Sequence, residues 1–147
     1  MKPISKIYSL RKYKDSKKLK FATKRPSRKS WVKTLDKLVR EAIFARDRVC
    51  VRCGRIDQLA PSHIYPKGRY TRLRWDTDNI LTLCFACHIC WWHKNPIEAG
   101  NWFREKYPEL SKKLKLRTQY IDKSAIDYNA IKLYLENEIQ KAKNRTI

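Results

Sequence analysis

The clearest hydrophobic pattern in the chain starts at Ser30, a residue type that favours the N-cap of a helix. Apolar side chains then recur at intervals of three and four residues, the spacing that places them on one face of an α-helix. We therefore predict an amphipathic helix that ends near Arg46-Asp47. Its apolar face contains Trp31, Leu35, Leu38, Val39, Ala42 and Ile43.

After this helix the hydrophobic segments are shorter and predict both strands and helices. Residues 64–70 and 71–80 predict a strand, a basic loop that turns at Pro66-Lys67-Gly68, and a return segment. Residues 85–93 are expected to begin a helix. Asn95-Pro96-Ile97-Glu98 combines an N-cap, a proline at the first helical position and an acid three residues after the cap, which is typical of another helix start. A last helix is predicted from about residue 124 to 142.

Positive charge dominates the composition. The 147 residues include 35 Lys and Arg against 14 Asp and Glu, which gives a formal net charge of +21. We expect nucleic acid as the partner, because a membrane surface would also call for an amphipathic or apolar anchor, and none is evident. No apolar run approaches the ~20 residues that cross a bilayer, so we expect a soluble, cytoplasmic protein. Residues 1–30 are rich in Lys, Arg and Ser and predict a mostly flexible basic arm.

Four of the five cysteines form two pairs, Cys50-x2-Cys53 and Cys84-x2-Cys87. Two residues between paired thiolates let both sulfurs bind one ion at about 2.3 Å, and two such pairs complete a tetrahedron. The sequence therefore predicts a structural zinc site. Spacing leaves one ambiguity, because Cys87-x2-Cys90 is also a pair with ligand spacing. It also leaves open a zinc ribbon that binds a partner without chemistry.

The residues around these cysteines resemble a nuclease motif. Ser62-His63-Ile64-x-Pro66, followed by Asp78-Asn79-Ile80-Leu81-x-Leu83-Cys84-x2-Cys87-His88, is similar to the HNH, or His-Me finger, endonucleases. The similarity extends to the NinG/Rap-type phage recombination nucleases over roughly residues 31 to 108. The segments that carry this wider resemblance are Leu35-Asp36-Lys37-Leu38 through Ala45-Arg46-Asp47, Leu73-Arg74-Trp75-Asp76, His93-Lys94-Asn95 and Trp102-Phe103.

The resemblance implies an α+β fold in which a zinc-stabilised ββα-metal core has flanking helices. Residues 31–108 would form this nuclease core, between the basic arm of residues 1–30 and a basic C-terminal helical extension over residues 109–147. The resemblance also assigns the second ligand pair to Cys84 and Cys87. Cys90 is then interpreted as a buried free thiol.

The family's catalytic roles fall on three residues. By resemblance His63 lies at the end of the first strand and is the general base that takes a proton from water, and a buried structural histidine is the alternative. Asn79 is expected to hold the loop and orient the histidine ring, unless it is a simple turn or cap residue. His88 matches the ligand of the catalytic divalent ion, with an exposed helix residue as the alternative. Ser62 stands where the commoner family pattern has an aspartate, which leaves this ion with few protein ligands.

His93 is a further candidate ligand for the catalytic ion. On an ideal α-helix five residues correspond to a rotation of about 500°, which leaves the rings of His88 and His93 roughly 140° apart. The two side chains would therefore share an ion only if the helix ends first. Lys94-Asn95-Pro96 favours such an end. Asp76 and Asp78 are interpreted mainly as turn-capping residues.

Four basic residues lie between His63 and Asn79, namely Lys67, Arg69, Arg72 and Arg74. The resemblance implies that Arg72 and Arg74 contact the DNA backbone near the scissile group. Arg74 is the better candidate to stabilise charge in the transition state, with a general phosphate contact as the alternative for each. Lys67 and Arg69 lie on the same loop and are also expected to bind DNA. Phosphate contacts position a duplex without reading its sequence. We therefore expect a preference for DNA shape or structure.

The HNH resemblance implies a metal-dependent DNA endonuclease with catalytic Mg²⁺ or Mn²⁺, in addition to the structural Zn²⁺ that the cysteine spacing predicts. The NinG/Rap resemblance implies branched or recombination-intermediate DNA as the substrate. The enzymatic alternative is a site-specific nicking or restriction endonuclease, and the non-catalytic one is a zinc-ribbon DNA-binding protein that has lost cleavage. A homodimer would supply the two sites that a symmetric cut of both strands requires.

Overall fold

A computed structural model describes residues 25–119 and 125–145, so most of the predicted basic arm lies outside the described residues. Within these ranges the protein is a mixed α+β fold with one small antiparallel sheet of two strands. Two short 3₁₀ turns, Thr71–Leu73 and Thr77–Asn79, precede the second strand. In chain order the elements are α1 (Arg28–Asp47), β1 (Leu59–His63), β2 (Ile80–Cys84), α2 (Ala86–His93), α3 (Pro96–Lys106), α4 (Pro108–Gln119) and α5 (Tyr128–Asn144).

Helix α1 begins earlier than predicted. Its N-cap is Ser27, whose hydroxyl accepts a hydrogen bond from the backbone N–H of Ser30 at 3.2 Å. Ser30 is therefore the third residue of the helix and not its cap. Ser27 is the cap, because its side chain bonds the backbone N–H of Ser30. The predicted end at Asp47 is confirmed, and Arg48 follows it in the left-handed conformation with φ of 59°.

The first strand ends at His63, as the resemblance implies, but it lies before the residues whose pattern predicted a strand. Strand β1 covers residues 59–63 and pairs with β2 from Leu59↔Cys84 to His63↔Ile80. The predicted turn at Pro66-Lys67-Gly68 is confirmed, since the carbonyl of Pro66 accepts from the backbone of Tyr70 at 2.9 Å, but the strand predicted to begin at Ile64 is not formed. Pro61 lowers the strand signal of β1, but it is tolerated because β1 is an edge strand.

The other edge of β2 is bonded to the end of α1. The carboxylate of Asp47 accepts from the backbone N–H of Thr82 at 2.9 Å, and Arg46 donates to the carbonyl of Ile80 at 2.8 Å. The N–H of Val51 donates to the carbonyl of Thr82 at 3.0 Å. Strand β2 is therefore held between β1 and the C-terminal end of α1, and all five of its residues are buried.

Two hydrophobic clusters pack around the sheet. One joins α1, the start of β2 and α5, and the other lies beneath the cysteine pairs and reaches α3 and α4. The first contains Leu35, Val39, Ile43, Trp75, Ile80 and Leu135. The second contains Cys50, Leu81, Leu83, Cys84, Cys87, Trp91, Trp92, Ala99, Phe103 and Leu114.

Helices α3 and α5 are formed as predicted, but the start of α5 and the role of Glu98 in α3 differ from the prediction. Helix α3 starts at Asn95-Pro96 as predicted, but Glu98 accepts a hydrogen bond from the indole of Trp91 at 2.8 Å and does not complete a capping box. Helix α5 starts at Tyr128, after the predicted residue 124, because Asp127 caps it through two backbone N–H groups. None of the helices in residues 25–119 and 125–145 is both long and apolar enough to cross a membrane.

Leu135→Ala tests whether α5 belongs to the same cooperative unit as α1. Leu135 is fully buried in the α1–α5 cluster, so truncation should lower the free energy of unfolding by about 2–5 kcal/mol. Leu133→Ala is the matched control, because Leu133 is 60% exposed on the same helix and should change stability by about 0.5 kcal/mol or less. Urea titration of both variants gives the comparison. Equal effects of the two substitutions would contradict a buried α5.

Candidate metal and histidine site

Four cysteine sulfurs meet where α1, β2 and α2 come together. Cys50 and Cys53 lie on a turn that follows α1, Cys84 ends β2, and Cys87 lies in the first turn of α2. The turn requires the left-handed conformation of Gly54, with φ of 76°, whose N–H donates to the carbonyl of Cys50 at 2.8 Å. All four sulfurs lie within 4.8 Å of one another.

The geometry of this group fits a tetrahedral metal. Two sulfurs bound to one zinc ion at about 2.3 Å in a tetrahedron are about 3.8 Å apart. The sulfurs of Cys53 and Cys84 are separated by 3.7 Å, which is far longer than a disulfide bond. The four cysteines can therefore hold a structural ion such as zinc, as the spacing predicts.

Cys90 is not part of this group. It is exposed, so its interpretation as a buried thiol was wrong, while the choice of Cys84 with Cys87 as the second pair is confirmed. Among residues 25–119 and 125–145, the four cysteines are the one group of three or more His, Cys, Asp or Glu side chains close enough to share an ion.

The thiols differ in how readily they lose a proton. Burial raises the pKa of Cys87 to about 12. Burial also raises the pKa of Cys50, but hydrogen bonds from the backbone of Cys84, Cys53 and Arg52 outweigh it, and the pKa falls to about 7. Because a metal binds thiolates, ion binding must displace a proton from Cys87, and metal affinity should fall as the pH is lowered.

Arg52 adds positive charge next to the sulfurs. Its guanidinium donates to the sulfur of Cys87 at 3.5 Å and lies over the ring of Trp91, 3.8 Å from the centroid. Four thiolates around a divalent ion leave two excess negative charges, which a neighbouring guanidinium partly offsets. Arg52 was not singled out from the sequence, although its position between two paired cysteines was an available signal.

His63, the last residue of β1, is half-buried beside the loop that leads to β2. Its Nε2 lies 2.9 Å from the main-chain carbonyl oxygen of Arg74. Because a carbonyl can only accept, Nε2 carries the proton and Nδ1 of the neutral ring is left as the acceptor. Burial lowers the pKa of His63, the charges of Lys67 and Arg74 lower it further, and the Arg74 carbonyl and Asp36 oppose them. The ring is thus kept neutral under ordinary conditions.

Asn79 holds the loop that carries this carbonyl. Its side-chain oxygen accepts from the backbone of Tyr65 at 2.8 Å, and its amide nitrogen donates to the carbonyls of Tyr65 and Leu73 at 3.0 Å each. The side chain is fully buried and its donors and acceptor are all used. Asn79 therefore joins the segment after His63 to the segment before Arg74.

Helix α2 brings His88 and His93 together. Their Nε2 atoms are 3.0 Å apart and their ring centroids 4.7 Å apart. The expectation that the rings lie roughly 140° apart unless the helix ends first was wrong, because α2 is a π-helix. A π-helix bonds residues five apart, so residues five apart lie nearly above one another, unlike those on an α-helix. Burial lowers the pKa of His88, and the charges of His93 and His63 lower it further.

Ser62 lies on the opposite side of β1 from His63, since successive side chains of a strand alternate. It is fully buried, and its hydroxyl has no hydrogen-bond partner among the described residues. Its side chain is therefore enclosed in the core and is not presented with the histidines.

The predicted phosphate contacts divide into two groups. Lys67, Arg69 and Arg72 are exposed on the segment between His63 and β2. Arg74 is half-buried, and its guanidinium donates to both carboxylate oxygens of Asp36, at 2.9 and 2.6 Å. Arg74 thus forms a two-point ion pair with α1, a contact that no local sequence pattern indicated.

The turn before β2 is held by α4. The carboxylate of Asp76 accepts from the N–H of Asp78, which confirms its turn-capping role. Asp78 pairs with Lys113 at 2.7 Å, and Arg117 pairs with both acids. Burial raises the pKa of Asp78, but the hydrogen bond and charge of Lys113 and the charge of Arg117 outweigh it and lower the pKa. Part of the basic stretch in α4 therefore stabilises the fold.

No protein-family model, no curated protein and no solved structure matches the chain.

Substituting single cysteines tests the metal site. Cys53→Ser removes one of four ligands, so zinc content should fall well below one ion per chain and the near-ultraviolet circular dichroism should weaken. Cys90→Ser is the matched control, because Cys90 lies on α2 outside the sulfur group and should leave both measurements unchanged. Zinc loss from Cys90→Ser together with full zinc in Cys53→Ser would overturn the ligand assignment.

Proposed function

We propose that the protein is a metal-dependent DNA endonuclease of the HNH type that hydrolyses phosphodiester bonds. The observation that carries the proposal is the arrangement of three histidines. His63 ends β1 with one ring nitrogen held and the other left to accept a proton, and His88 and His93 meet on the helix that directly follows β2. The order of two antiparallel strands and a helix supports the proposal, because a ββα-metal core would have the same order.

His63 is suited to act as the general base. Its Nδ1 is the free acceptor, because Nε2 donates to the Arg74 carbonyl. A lowered pKa keeps the ring unprotonated at neutral pH, which is the form that can take a proton from an attacking water. The hydrogen bond to Arg74 also fixes the plane of the ring, so that the accepting lone pair has one direction.

His88 and His93 are suited to hold the catalytic ion. Two nitrogens bound to one ion at about 2 Å and at right angles are about 2.9 Å apart, close to the 3.0 Å between the two Nε2 atoms. Imidazole ligands favour transition metals over Mg²⁺, so we expect Mn²⁺ to serve better than Mg²⁺. The ion would supply positive charge to the scissile phosphate and the leaving oxygen.

Lys67, Arg69 and Arg72 are the proposed contacts to the DNA backbone. All three are exposed on the segment that connects His63 to β2, within a chain of net charge +21. The Arg74 guanidinium is paired with Asp36, so its proposed role at a phosphate would require DNA to compete with this carboxylate. Branched recombination intermediates, cut by a homodimer, remain the substrate and assembly that the NinG/Rap resemblance favours.

One observation favours a second candidate function, a zinc-stabilised DNA-binding protein without cleavage. Ser62 replaces the aspartate of the commoner motif, and its buried hydroxyl faces away from His63. The catalytic ion would then have two protein ligands and would depend on water and substrate for the rest. Supercoiled plasmid incubated with Mn²⁺, with Mg²⁺ and without added metal separates the two functions, since only an endonuclease converts it to nicked or linear DNA.

His63→Ala tests the proposed base. The variant should lose at least a hundredfold in cleavage rate, because general-base catalysis typically contributes about 10²–10⁴-fold. Zinc content and DNA affinity should be retained, because the ring lies outside the sulfur group. The measurement is plasmid nicking under single-turnover conditions. Cleavage within threefold of the wild-type rate would remove His63 from the mechanism.

The pH profile supplies an independent measure of the same residue. A base works only when unprotonated, and the pKa of His63 is lowered from 6.5. The acid limb of kcat/KM should therefore lie below pH 6.5. An acid limb above pH 7 would show that another group supplies the base.

His93→Ala tests the paired metal ligands. Removing one of two imidazoles should raise the Mn²⁺ concentration for half-maximal cleavage by about tenfold or more, whereas the structural zinc is retained. Lys94→Ala is the control, because Lys94 follows the helix and is equally exposed. An unchanged Mn²⁺ requirement in His93→Ala would leave His88 as the sole protein ligand of the pair.

A further inference from the structure

Asp36 on α1 makes three hydrogen bonds to two consecutive residues. Its Oδ1 accepts from Arg74 Nε at 2.9 Å and from the indole Nε1 of Trp75 at 2.8 Å, and its Oδ2 accepts from Arg74 Nη2 at 2.6 Å. The burial of this carboxyl raises its pKa, but these hydrogen bonds outweigh burial and lower the pKa. Asp36 is therefore ionised at neutral pH, as charge-assisted bonds of this kind require.

The peptide between these two residues is the one that holds His63. The main-chain carbonyl of Arg74 belongs to the peptide that links Arg74 to Trp75, and it accepts from His63 Nε2 at 2.9 Å. With the side chains on both sides bound to one carboxylate, the peptide has little freedom to rotate. The direction of its carbonyl, and with it the plane and tautomer of the His63 ring, is thereby set from α1.

We propose that Asp36 is a positioning residue that keeps His63 in the Nε2-protonated tautomer, with Nδ1 directed outward as the base. The kinetic consequence rests on the proposed endonuclease function, but the state of the His63 ring does not. In this arrangement the main-chain oxygen of Arg74 accepts the hydrogen bond of His63. The guanidinium of Arg74 binds Asp36, and this ion pair fixes the position of that oxygen.

The position of α1 does not itself depend on Asp36. Leu35, Val39 and Ile43 pack this helix against Trp75, Ile80 and Leu135, and Arg46 and Asp47 bond its end to β2. Asp36 is 39% exposed at its side chain, a setting in which an ion pair contributes little to stability. Its loss should consequently disturb the peptide at residues 74–75 much more than it disturbs the fold.

Asp36→Asn is the decisive variant, because it keeps the shape of the side chain but removes its charge and one of its two acceptor oxygens. Glu41→Gln is the matched control, since Glu41 lies on the same helix and pairs with Lys143 at 3.7 Å, away from His63. Long-range proton–nitrogen NMR should show a single Nε2-protonated His63 in the wild type and in Glu41→Gln. In Asp36→Asn it should show both tautomers, with the zinc content and melting temperature of the wild type retained.

Kinetics supply the second readout. Asp36→Asn should lower kcat for plasmid cleavage by about tenfold, with KM for DNA within twofold, because the base is misdirected while the binding surface is intact. Arg74→Lys should also lower kcat, since a lysine cannot form the two-point contact with the carboxylate. Glu41→Gln should match the wild type in both constants.

The outcomes separate this proposal from the proposed function. An unchanged His63 tautomer in Asp36→Asn would overturn the positioning role, whether or not the protein cleaves DNA. A raised KM with unchanged kcat would also overturn it, because Asp36 would then act through DNA binding. If the tautomers mix in Asp36→Asn but the wild type cleaves no DNA with any metal, the positioning role stands and the endonuclease function fails.

Discussion

The meeting of four cysteine sulfurs is the constraint on which the rest of the structure depends. It joins a turn after α1 to the end of β2 and the start of α2, and it brings together Cys53 and Cys84, which are 31 residues apart in sequence. A two-stranded antiparallel sheet is only marginally stable in water without such support. His88 follows Cys87 directly, so an ion bound to the sulfurs also determines where the first histidine of α2 lies.

Polar contacts organise the segment between the strands. Asn79 bonds both ends of this loop, while Asp76 and Asp78 tie its last turn to α4. On the α1 side, Asp36 fixes Arg74 and Trp75. The hydrophobic clusters pack around the sheet. The loop whose Arg74 carbonyl bonds the candidate base is held largely by hydrogen bonds from elements that belong to those clusters.

How much could be predicted from the sequence depends on how local each signal is. The zinc ligands, the body of α1 and the start of α3 were predictable, because pair spacing, helical periodicity and an Asn-Pro start are local patterns. The residue pattern did not indicate strand β1, because Pro61 weakens its strand signal, although the resemblance placed the end of a first strand at His63. The contact between Asp36 and Arg74 spans 38 residues, and no local pattern indicates it. The pairing of His88 with His93 was expected only if the helix ended first, because the periodicity argument assumed an α-helix.

The π-helix has a consequence for how the length of α2 could vary. A π-helix bonds residues five apart, whereas an α-helix bonds residues four apart. Two side chains on the same face are therefore separated by one residue more in a π-helix. Ile89 and Cys90 lie between the two histidines and are exposed, so neither is required by the buried core. A one-residue deletion at either position would leave the histidines four residues apart, the spacing at which side chains of an ordinary α-helix are neighbours. The same pair of imidazoles is thus compatible with two chain lengths, each with its own helical winding.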